Sequence, residues 1–104
     1  MNKYKIQLSI QAKEDYKNIV FYIKNILLEP NIASKYAKLI KEEIKKLEYL
    51  PKKFSIIDKE ILKYDNFRKL VIKSYIVFYR INEDKKIVNV ERILYGGTDW
   101  KNKL

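Results

Sequence analysis

The chain has no cysteine and no histidine, and its 104 residues include only two glycines, two prolines and one tryptophan. Without cysteine there is neither a disulfide nor a thiolate metal site, which fits a reducing compartment. Without histidine, imidazole proton shuttles, His-ligated zinc and histidine-based triads are excluded. The two glycines are the adjacent pair Gly96-Gly97, so there is no glycine-rich phosphate loop, and no carboxylates are spaced for a metal. No cofactor and no metal are therefore expected. Long apolar runs are also missing. The longest, Ile19 to Ile23, is too short to span a bilayer, and Met1-Asn2-Lys3-Tyr4-Lys5 opens no signal core. The expectation is a soluble cytoplasmic protein with no membrane partner.

What is present is one domain's worth of chain, 1–104, with an ordinary 47% hydrophobic content. The formal charge is +10, from 23 basic and 13 acidic residues. Such a basic protein suits an acidic partner, whether nucleic acid, ribosome or acidic protein. The charge splits evenly, +5 in residues 1–65 and +5 in residues 66–104, so no basic tail stands out. A solvated lysine surface explains it at least as well as a nucleic-acid footprint.

Periodicity supplies the elements. Lys3 to Ser9 alternates, with Tyr4, Ile6 and Leu8 on one side, as a half-buried strand does. Ser9 is placed to cap a helix whose stripe runs Ala12, Tyr16, Ile19, Val20, Ile23, Ile26, Leu27 to about Leu28. Pro30 is expected to end it, and Asn31 to cap a second helix with the stripe Ala33, Tyr36, Ala37, Ile40, Ile44, Leu47, closed by Pro51. Residues 51–66 read as a loop. Three strands follow: Phe67 to Ser74, Tyr75 to Ile81, and Lys86 to Leu94, the last with Val88, Val90 and Leu94 on one face. The middle strand is apolar on both faces and so belongs in the centre of the sheet. Asn82-Glu83-Asp84-Lys85 is a hairpin turn. The fold class is α+β: an N-terminal strand, an antiparallel two-helix hairpin, then a three-stranded antiparallel meander, with the helices on one face. Ile19, Ile23, Ile40, Ile44, Leu47 and Val77 are the expected core.

Twenty lysines are scattered throughout, but the only arginines, Arg68, Arg80 and Arg92, each fall in one C-terminal strand. Arginine's planar fork grips phosphate or carboxylate as lysine cannot. The competing reading is that they brace the sheet through ion pairs, for example with Glu91 or Asp99. Tyr75, Tyr79 and Tyr95 accompany them. Tyrosine beside arginine suits base stacking or a protein interface, although Tyr79 lies in the densest apolar run and reads as core. Tyr16, Tyr22 and Tyr36 read as helix packing residues, Trp100 as a cover for the sheet end, and Glu14, Asp15, Glu42, Glu43 and Glu48 as solvated helix charges paired with lysines.

The opening Tyr4-Lys5-Ile6-Gln7-Leu8-Ser9, the helix start Ala12…Glu14-Asp15-Tyr16 with Tyr22-Ile23, and Leu47…Leu50-Pro51 resemble the RelE/ParE superfamily of type II toxins. So do Phe67-Arg68-Lys69-Leu70-Val71, Tyr75 to Ile81, Val90-Glu91-Arg92-Ile93-Leu94-Tyr95-Gly96 and Asp99-Trp100. The resemblance spans nearly the whole chain in the same element order. It implies a plasmid-stabilisation type toxin neutralised by a cognate acidic antitoxin. RelE-like members cut ribosome-bound mRNA without metal, and ParE-like members poison DNA gyrase. The ribonuclease branch commonly has an arginine where Ile76 follows Tyr75, whereas Phe78-Tyr79-Arg80 resembles the ParE form. The usual histidine after the Arg-Ile/Val-Leu step is Tyr95, and the usual basic pair is Gly97-Thr98. The resemblance thus favours a gyrase inhibitor over an enzyme, with Arg68, Tyr75, Arg80, Arg92, Tyr95, Asp99 and Trp100 as candidate target- or antitoxin-binding residues. The alternatives are a ribosome-dependent mRNA endoribonuclease, in which Arg68, Arg80, Arg92 and Tyr95 would be catalytic, and an inactive antitoxin-binding relative.

Overall fold

The computed structural model describes residues 3–57 and 66–104, so residues 58–65 of the loop expected over 51–66 lie outside them. Strand β1 (Lys5–Leu8) leads into helix α1 (Ile10–Phe21). Ser9 caps α1 as expected, its hydroxyl accepting from the Ala12 N–H at 2.9 Å. The helix does not run regularly to Leu28. It relaxes into one π-helical turn, Tyr22–Ile26, and Leu28 then stops it in the left-handed region at φ 56°. Pro30 is accordingly the start of helix α2 (Pro30–Lys45) and does not end the first helix; Glu29, in place of Asn31, is the residue before the first turn. Proline suits this position because its missing N–H would be unbonded there and its fixed φ is already helical.

The meander is β2 (Arg68–Ile72), β3 (Tyr75–Asn82) and β4 (Ile87–Tyr95). The sheet order is β1-β4-β3-β2, with β1 parallel to β4 and the other pairs antiparallel. The helical hairpin covers one face. Ile19, Ile23, Ile40, Ile44 and Leu47 from the helical side meet Val77, Tyr79, Val88, Val90 and Ile93 from the sheet, all buried. The other face carries a second, smaller core: Ile57, Phe67, Ile76, Phe78 and Leu94, roofed by Trp100 and Leu104. Trp100 stacks on Phe78 with ring centroids 5.1 Å apart. Two cores explain why β3 is apolar on both sides.

One register expectation is corrected. A bulge pairs Phe78 with Arg92 and Tyr79 with Val90, so Glu91 has no cross-strand partner. The extra residue reverses the alternation beyond it. Ile93, not Leu94, therefore joins Val88 and Val90 against the helices, and Leu94 turns to the second core.

Beyond Leu8, β1 no longer covers the edge of β4, and α1 completes the hydrogen bonding there. The Ser9 hydroxyl donates to the Glu91 carbonyl at 2.7 Å, and the Asp15 carboxylate accepts from the Ile93 N–H at 3.0 Å. The same carboxylate takes the Arg92 fork, from Nε at 2.7 Å and Nη2 at 2.9 Å. Asp15 is thus not a solvated charge beside a lysine. It pins α1 to the stretch of β4 beyond the β1 pairing.

Candidate functional site

Where the hairpin tip overhangs the end of the sheet, a groove of about 880 Å³ opens. The helices supply Ile19, Tyr22, Ile23, Leu27, Ile32 and Tyr36, and the sheet end supplies Tyr75, Leu94, Tyr95 and Thr98. Three tyrosines form a chain of edge-to-face contacts, Tyr36 to Tyr75 at 5.9 Å and Tyr75 to Tyr95 at 6.0 Å. This geometry suits the quadrupoles of aromatic rings. Burial, followed by the neighbouring phenols Tyr36, Tyr22 and Tyr95, raises the Tyr75 pKa above its ordinary value. Tyr75 is therefore a neutral phenol near pH 7. Gly97 sets the Tyr95 ring: a Cβ there would lie 2.4 Å from its Cε2. The hairpin tip also exposes Phe21, Tyr22, Ile26, Leu27, Leu28 and Ile32, large apolar side chains of the kind found at binding sites.

The three arginines go elsewhere. Arg68 donates from Nη1 to the carbonyls of Phe54 at 2.6 Å and Lys52 at 3.2 Å, holding the Pro51–Lys53 turn against β2. Arg92 is spent on Asp15 and on the Lys103 carbonyl at 3.0 Å. Arg80 stacks over Phe67 at 4.6 Å and faces Glu91 at 3.8 Å. Arg80 and Arg92 share a small pocket of about 170 Å³, whereas Arg68 lies in a separate one and Tyr95 in the tyrosine groove. Asp99 is exposed and bonded to the Asn102 amide, and Trp100 belongs to the second core. Of the sequence candidates, then, only Tyr75 and Tyr95 meet in the groove. Tyr22 and Tyr36, read from the sequence as packing residues, complete it. Their helical spacing places them on the apolar stripe, but where the stripe overruns the sheet is decided by the tertiary arrangement.

Residues 6–100 match the family of the ParE toxin of the type II toxin–antitoxin system, parDE. No curated protein matches the chain. Among solved structures, the chromosomal ParDE toxin–antitoxin system of P. aeruginosa is similar with a TM-score of 0.73 and 18% identity, covering 91% of this chain and 98% of that one. The RelBE2 toxin–antitoxin complex of Mycobacterium tuberculosis gives 0.64 and 16%, over 89% and 98%. The archaeal RelE–RelB complex of Pyrococcus horikoshii gives 0.61 and 17%, over 93% and 98%. At these identities the neighbours speak for the fold. The family match carries the assignment, and by it the chain belongs to the ParE toxin family of type II toxin–antitoxin systems.

Proposed function

We propose that this toxin inhibits DNA gyrase by occupying a surface of it, and that a cognate acidic antitoxin silences the toxin by laying an amphipathic segment into the tyrosine groove. The observation that carries the target reading is the dispersal of Arg68, Arg80, Arg92 and Tyr95. Cleaving a phosphodiester with these four side chains requires them around one phosphate. Instead they occupy three separate places, two of the arginines being committed to structural contacts. Unperturbed arginine and tyrosine also titrate at about 10 or above, far from the range of an efficient general base. An inhibitor of a protein target needs only a complementary surface with aromatic anchors, and the groove supplies one.

The deciding experiment adds purified toxin to a gyrase supercoiling reaction and, in parallel, to a translating extract. Inhibited supercoiling or trapped cleaved DNA, with intact mRNA, is expected. Codon-specific mRNA fragments would instead assign the ribonuclease. For the partner, the product of the adjacent gene should bind the toxin, and Tyr36→Ala or Tyr75→Ala should weaken it by about 10- to 100-fold, as for a central aromatic anchor.

A further inference from the structure

On the sheet face away from the helices, Arg80 stands apart from the other two arginines. Its guanidinium carbon lies over the Phe67 ring, 4.6 Å from the centroid, and its side chain is 43% exposed. Among the described residues its only acidic neighbour is Glu91, at 3.8 Å, longer than a hydrogen bond. Among the described residues its donors make no hydrogen bond, and it lines the 170 Å³ pocket together with Gln11, Lys103 and Leu104. Arg92 adds positive charge to the wall while its own donors are taken by Asp15 and Lys103.

We propose that this pocket is a carboxylate-binding site, in which Arg80 receives an Asp or Glu side chain of a protein partner. The idea rests on the reading that a cognate acidic antitoxin binds the toxin, that antitoxin being the partner meant, and it concerns a place distinct from the tyrosine groove. A stacked guanidinium is pre-organised for a two-point grip on a planar carboxylate. The pocket already accommodates one carboxylate, that of Glu91, at a distance too long to satisfy Arg80. Glu91 competes with any incoming anion for the guanidinium. A nucleic-acid phosphodiester is a monoanion like a carboxylate, so it is the alternative ligand that the titration has to separate.

The test follows the Arg80 Nε–H signal by NMR in the full chain while sodium acetate, sodium dimethyl phosphate (a phosphodiester monoanion) or sodium chloride is added at constant ionic strength. Acetate should produce a saturable shift that chloride does not, with dimethyl phosphate binding more weakly. Glu91→Gln, which removes the internal competitor, should tighten acetate about threefold, and Arg80→Lys, which keeps the charge but loses the fork, should weaken it at least threefold. A shift identical in acetate and chloride, tighter binding of dimethyl phosphate, or unchanged acetate affinity in Arg80→Lys would each overturn the proposal. The acetate titration needs no antitoxin or gyrase, so its failure is separable from failure of the functional reading.

Discussion

Tyr79 is fully enclosed, and its hydroxyl donates to the Pro51 carbonyl at 2.6 Å. Tyr79→Phe leaves that carbonyl without its partner and should lower stability by about 1–2 kcal/mol in denaturant unfolding. Burial pushes the Tyr79 phenol up to about 12, against a smaller opposing pull from Arg68. A folded-state pKa above the unfolded value of 10.0 means that this contribution is complete below pH 10 and is lost as pH rises through about 12. The alkaline loss should therefore be shallower in Tyr79→Phe than in the wild type. Arg92 and Asp15 form the other decisive pair, with side chains 23% and 11% exposed. Asp15→Ala strands the Arg92 fork and the Ile93 N–H together and should cost about 3 kcal/mol. A double-mutant cycle with Arg92→Ala should show strong coupling between the two.

At the scale of elements, the N-terminal strand, the Pro51–Lys53 turn and the β3–β4 hairpin are joined by one carboxylate. Glu83 receives Lys52 at 2.9 Å, Lys86 at 3.0 Å and the Tyr4 hydroxyl at 3.0 Å. The hydrogen bonds from Lys52 and Lys86 come first in lowering the Glu83 pKa, from 4.5 to about 2. The stabilisation is therefore present above about 4.5 and disappears as pH falls through about 2. Acid unfolding of Glu83→Gln should lack that part of the pH dependence. At the other end of the sheet, Gly97→Ala puts a Cβ where the Tyr95 ring lies. The ring must swing away from Tyr75, so antitoxin affinity should fall while thermal stability changes little, because both residues are exposed.

At the scale of the molecule, the proposed function assigns separate parts to the +10 charge and to the exposed apolar hairpin tip. In the proposed function, lysines spread over the surface would steer an acidic antitoxin and the groove would retain it. Raising salt from about 0.05 to 0.5 M shortens the Debye length severalfold, so the association rate of the antitoxin should fall steeply while dissociation changes less. Stopped-flow kinetics would read both. Equal salt effects on the two rates would count against this division.

Much of the fold is legible in local pattern. The stripe through Ile19, Ile23, Ile40, Ile44 and Leu47, the two-sided apolar run of β3 and the cap at Ser9 depend only on spacing and residue chemistry, which tertiary packing then confirms. The motif order from Tyr4 to Trp100 was enough to point to the family. The groove and the fates of the arginines were not legible, because they depend on where segments far apart in the chain meet. A single bulge at Phe78/Tyr79 moves Leu94 to the second core, and Arg92 finds its partner in Asp15, 77 residues away. A hairpin stopped by Leu28 in the left-handed region, before Pro30, sets how far Tyr22 and Tyr36 project past the sheet to Tyr75. Periodicity determines which residues face inward; the register and reach of the packed elements decide which of them touch.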